Sequence, residues 1–147
     1  MKIPMPILIE NHRPDLSQAI VAMPCSRLLG LTVLGLGDGV SALEMPVRAD
    51  LTFDGRTVQG GIVGTLADFA AVSAATASCA DGWTSSTTGF QVYNLAPARG
   101  ERLLGLGRAI QRGRTQAVAA ADIYAVSGED SELVATAIAS CKLRAPV

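Results

Sequence analysis

Residues 53–79, F-D-G-R-T-V-Q-G-G-I-V-G-T-L-A-D-F-A-A-V-S-A-A-T-A-S-C, constrain the chain more than any other stretch. The glycine pair Gly60-Gly61 stands at the start of a helix expected over residues 61–79. Ile62, Val63, Leu66, Ala67, Phe69, Ala70, Val72, Ala74 and Ala75 place apolar side chains on every side of that helix. A helix apolar all round is expected to be buried all round. Between Arg56 and Asp81 the only charged side chain is Asp68. A lone carboxylate in such a helix needs a partner or a chemical task.

The surrounding chain fits a case built around that helix. At 147 residues it reads as one domain over 1–147, large enough for a proper core, with residues 1–13 as an irregular arm. A short helix is expected from Pro14 to about Met23, closed by Pro24. Residues 30–36 and 40–47 read as strands joined by a hairpin turn at Gly37-Asp38-Gly39. Residues 48–59 read as a loop bending at Asp54-Gly55. After the helix, strands are expected over 85–95, 102–111, 115–126 and 132–144. Turns at Pro97–Gly100, Arg112-Gly113-Arg114 and Ser127–Asp130 separate them. Short turns between successive strands predict an antiparallel meander. Ala117, Ala119, Ala121, Ala135, Ala137 and Ala139 keep the period of a strand and would let a sheet close tightly on a helix. The expected fold is α+β, a curved antiparallel sheet wrapped around one long buried helix.

Composition narrows the function classes. The net charge of −1 gives no broad basic footprint for nucleic acid. The central helix, interrupted by Gly, Ser, Thr and Asp, reads as a core helix, so no membrane partner is expected. The N-terminus lacks the pattern of a secretory signal, and the expected compartment is the cytoplasm. Three widely separated cysteines argue against a disulfide framework, and each reads as a small core residue. With a single histidine, His12, no metal site is expected. No G-x-S-x-G elbow or phosphate-binding P-loop is present, and Gly35–Gly39 has no β-α-β unit around it.

The order of motifs is similar to that of the hotdog-fold acyl-CoA thioesterases of the phenylacetyl-CoA (PaaI-like) type. The carriers are G-x-x-x-Q-G-G-x-x-x-x-L-A-D-x-A from Gly55, T-T-x-x-x-x-x-x-L-x-P-A from Thr87, Q-R-G-R-T from Gln111 and E-L-V-A-T-A from Glu132. Together they cover roughly residues 28–143. The resemblance implies a homodimer or dimer of dimers with acyl-CoA clefts between chains, and coenzyme A as part of the substrate rather than a separate cofactor. It puts Asp68 on the catalytic acid, as nucleophile or general base. It puts Gly61 or Gly60 on the oxyanion N–H, Thr87 on a water-holding hydroxyl, and Arg112, Gly113 and Arg114 near the CoA phosphates. Relatives commonly carry His before the glycine pair, where this chain has Gln59. They often carry Asn six residues earlier, where it has Phe53 with Asp54 beside it. Gln59 can donate a hydrogen bond but cannot titrate.

Other readings stand beside these. Gly60-Gly61 also suits a tight start to a helix, and the arginines at 108, 112 and 114 also suit a solvated edge. Asp68 lies seven residues beyond Gly61, ~10 Å along a helix at ~1.5 Å per residue. One thioester carbonyl cannot reach both within one chain, so a site using both takes Asp68 from a second copy. The alternative functions are a non-catalytic acyl-CoA-binding protein and an acyl-thioester hydratase or dehydratase. The latter would want a histidine near the helix.

Overall fold

The computed structural model describes residues 12–147. Most of the expected arm, residues 1–11, lies outside the described residues. His12 is exposed and Arg13 is buried. Two short helices come first, α1 (Pro14–Ala22) and α2 (Pro24–Leu29). Pro24 does more than end the first helix. It occupies the first turn of the second, where its missing N–H costs nothing and its fixed φ already fits. Gly30 then closes α2 at φ +69, in the left-handed region that glycine enters freely. Cys25, expected in the core, is exposed on α2, while Cys79 and Cys141 are buried.

The strands are β1 (Thr32–Gly37), β2 (Val40–Pro46), β3 (Thr84–Asn94), β4 (Arg102–Arg112), β5 (Gln116–Ser127) and β6 (Asp130–Arg144). Asp38 and Gly39 join β1 to β2 with φ of +53 and +75, the two positive angles of a tight hairpin turn. All pairings are antiparallel, in the order β1-β2-β4-β5-β6-β3. The expected meander therefore holds only from β4 to β6. β3 pairs with β6 at the far edge instead of with its sequence neighbour β4. Residues 95–101 make no hairpin because their backbone groups bond elsewhere. Leu95 and Ala96 donate to Val134, Glu101 donates to Val126, and Ala98 accepts from Val58. The segment crosses the end of β6 and β5 and ties down the loop before the long helix.

That helix is α3 (Gly60–Ala77). The sheet wraps it, and the alternating alanines of β5 and β6 face it, every one buried. Gly107 of β4 marks the closest approach: a Cβ there would lie 2.0 Å from the carbonyl oxygen of Ala70. Ser41 and Ser73 both donate to that same oxygen, at 2.6 and 3.2 Å. The helix is not buried all round in a single chain. Gly61 is exposed, and Ile62, Thr65, Asp68, Phe69 and Val72 are only half-buried. These positions recur at helical spacing and form the stripe that the curved sheet leaves uncovered.

Candidate active site

Gln59 caps the start of α3. Its backbone oxygen accepts from Ile62 and Val63 at 2.9 and 3.1 Å, and its side-chain Oε1 accepts from Ile62 N at 3.1 Å. Gln59 N donates to Leu51 O at 3.0 Å, which anchors the helix start to the preceding loop. Among the described residues no acceptor meets the N–H of Gly60 or Gly61. Free N–H groups at the positive end of a helix form a ready site for negative charge. A Cβ at Gly60 would lie 3.1 Å from the side-chain amide of Asn94, and one at Gly61 would lie 2.8 Å from Gln59 Oε1. Sequence reading missed Asn94. It comes to lie beside Gly60 because β3 runs antiparallel to α3, a pairing that no local pattern announces.

Asp68 sits two turns further along, on the uncovered stripe. Thr87 Oγ1 of β3 donates to Asp68 Oδ1 at 2.8 Å. A bulge between Thr87 and Gly89 shifts the register of β3 at this point, the kind of irregularity that re-aims a side chain. Burial raises the Asp68 pKa above the ordinary carboxylate value, and the Thr87 hydrogen bond partly offsets that rise. Both residues line a pocket of about 310 Å³ whose other walls come from α1, the second half of α3 and the start of β3 at Thr84 and Ser85.

The remaining expected residues are scattered. Asp54 holds its own loop. It accepts from the N–H groups of Arg56 and Thr57 at 2.8 and 2.5 Å and from Thr57 Oγ1 at 2.9 Å. These hydrogen bonds, those to the Thr57 and Arg56 backbone first, lower its pKa. Phe53 beside it is 69 % exposed. Arg112, Gly113 and Arg114 form the exposed turn from β4 to β5, and among the described residues neither arginine has an ion-pair partner. Arg108 is engaged with Asp122 at 3.4 Å. Thr87, Cys141, Ala117 and Arg112 are successive partners across four strands. At ~4.8 Å per strand that leaves ~14 Å between Thr87 and Arg112 in one chain. Within one chain, then, Asp68 and Thr87 meet, while the glycine pair and the arginine turn stand apart from them.

No protein-family model matches the chain, and no curated protein matches it. Solved structures do. A thioesterase family protein from Silicibacter pomeroyi superposes with a TM-score of 0.81 at 31 % identity, over 86 % of this chain and 93 % of that one. A phenylacetic acid degradation-related protein from Ralstonia eutropha gives 0.74 at 25 % identity, over 90 % of this chain and 99 % of that one. The PaaI protein of the Escherichia coli phenylacetic acid degradation operon gives 0.78 at 18 % identity, over 91 % and 94 %. The order of the sheet, the helix it wraps and the identity to the Silicibacter protein agree: this chain belongs to the hotdog-fold thioesterases of the PaaI-like kind.

Proposed function

We propose that the protein hydrolyses acyl-CoA thioesters to a free acid and coenzyme A, with Asp68 as the base or nucleophile. One observation carries the reading: a half-buried carboxylate, held by Thr87, lines an apolar pocket on a helix otherwise without charge. Thioester hydrolysis needs a group that attacks the carbonyl or activates water, and donors for the oxyanion that develops. Asp68 serves as the first. The free N–H groups of Gly60 and Gly61, supplied by a second copy of the chain, serve as the second. Gln59 spends its oxygen on the helix cap, so its Nε2 group is left to donate to the thioester carbonyl. Arg112 and Arg114, exposed and without ion pairs among the described residues, suit the phosphates of coenzyme A. Phe53 and Asp54 take no part in the chemistry in this reading, since Asp54 is committed to its turn. The three free thiols and a CoA substrate fit a cytoplasmic enzyme.

Asp68→Asn tests the assignment. It keeps the size and most of the hydrogen bonding but removes the basic oxygen. Release of free CoA from an acyl-CoA panel is expected to fall at least ~100-fold in kcat, within the ~10²–10⁴ span for a lost general base. A variant that folds and keeps its full rate removes Asp68 from the mechanism. Wild type that binds acyl-CoA without turnover makes the protein a binder instead.

A further inference from the structure

The pocket at Asp68 has a form that the catalytic residues do not account for. One wall is α1, through Leu16, Ala19, Ile20 and Met23 at its C-terminal cap. Their spacing, i, i+3, i+4, i+7, puts them on one side over two turns. The facing wall is α3 from Asp68 through Phe69, Val72 and Ser73 to Thr76. At ~1.5 Å per residue these stripes run ~10 Å and ~12 Å, so the cavity is a slot with the carboxylate at one end. At the other end Thr76 Oγ1 donates to Val72 O at 2.8 Å and lies 2.5 Å from Ser85 Oγ. With the Thr76 proton spent, Ser85 supplies the one between the two hydroxyls. Ser73 Oγ donates to Ala70 O. At the far end only the Thr84 hydroxyl is left as a spare donor, and among the described residues Asp68 is the only charged one lining the slot. An acyl group ending in a carboxylate or phosphate would find no cation among the described lining residues to receive it.

The α1 wall is fixed at its start. Arg13, 6 % exposed, donates to both carboxylate oxygens of Asp15 at 3.0 and 2.9 Å and to Cys79 O at 2.8 Å. Its Nε also lies 3.1 Å from Asp81, and its backbone N–H donates to Leu36 O at 2.8 Å. Residue 13 thus ties α1 to β1 and to the segment just after α3.

We infer that this slot takes the acyl chain of the substrate and that α1 measures its length, selecting an unbranched, uncharged acyl group of medium length. The inference rests on the thioesterase reading of Asp68. A staggered chain with ~1.5 Å bonds advances ~1.3 Å per carbon, so ~12 Å holds roughly eight to ten carbons.

S-alkyl-CoA thioethers from ethyl to hexadecyl, which cannot be cleaved, test this by calorimetry, with hydrolysis of the matching thioesters measured alongside. Affinity is expected to rise about fourfold per methylene and to level off near eight to ten carbons. Ala19→Phe, which fills the slot midway, is expected to move the break several carbons shorter while the ethyl thioether binds as before. Should that variant not fold, Leu16→Trp, at the end of α1 that Arg13 ties to the segment just after α3, is expected to move the break in the same direction. Length-independent affinity, tighter binding of a phenylethyl than of an octyl thioether, or a break unmoved in a folded variant would overturn the inference. Length-dependent binding without any turnover would leave the slot in place and remove the thioesterase reading instead.

Discussion

Burial and the Thr87 hydrogen bond act on the protonation of Asp68 in opposite senses. Burial comes first and raises its pKa; the Thr87 hydrogen bond lowers it. If ionised Asp68 does the chemistry, kcat/KM falls on the acid side through an apparent pKa above the ordinary value of 3.8. Thr87→Val removes the donor but keeps the shape. The acid limb of the profile is expected to move to higher pH, and Thr87→Ser to bring it back. A Val variant that loses rate with no movement of the limb would make Thr87 a packing residue only. The same shift bears on stability. A carboxyl whose folded pKa is raised binds more protons when folded than when unfolded between the two values. Stability therefore falls as pH rises through that window and stays lowered above it. Asp68→Asn removes the charge, so its Tm is expected to exceed wild type at pH 7, with the gap closing below pH 3.8. A lower Tm at pH 7 in thermal unfolding would show that the ionised carboxylate has a stabilising partner.

The fit of α3 to the sheet depends on side chains that are missing. Gly107→Ala would drive a methyl into the Ala70 carbonyl, which already accepts from Ser41 and Ser73. Overpacking of a tight core costs ~1–3 kcal/mol, and this site is at the upper end because backbone is what must move. Denaturant unfolding checks it; a loss under ~0.5 kcal/mol, the range of ordinary surface changes, would mean that helix and strand separate easily. Much of this architecture was legible in the sequence. The alternating alanines announced a sheet closing on a helix, and Asp38-Gly39 announced its hairpin. The placement of β3 was not legible. Local turn signals at Pro97 and Gly100 say that the chain bends but not where its backbone groups bond, and those bonds carry it across two strands. The α1 wall was half legible: Leu16, Ala19, Ile20 and Met23 keep a helical stripe in the sequence, but what the stripe faces is a tertiary fact. At the site, the residue types of Asp68 and Gly60-Gly61 were readable from the lone charge and the paired glycines. Asn94 and the commitment of Asp54 to its turn were not, because both depend on contacts made by a particular loop and edge.

Among the described residues, two adjoining surfaces are left open. β3 is an edge strand of 11 residues, none of them buried, with Phe90 and Tyr93 half exposed. Beside it runs the uncovered stripe of α3. Long unpaired edges invite pairing with another chain, and a two-fold partner would cover both surfaces at once. In the proposed enzyme that partner also brings the Gly60-Gly61 donors to Asp68, two turns away and out of reach within one chain. Mixing two crippled chains tests this most directly. Asp68→Asn alone loses the carboxylate, and Gly61→Val alone blocks the approach to the oxyanion donors. Refolded together in equal amounts, half the dimers are hybrids, and each hybrid regains one intact site of two. CoA release from an acyl-CoA substrate is then expected to recover to roughly a quarter of the wild-type rate. No recovery, in a mixture shown by mass spectrometry to contain hybrid dimers, would contradict a site shared between chains.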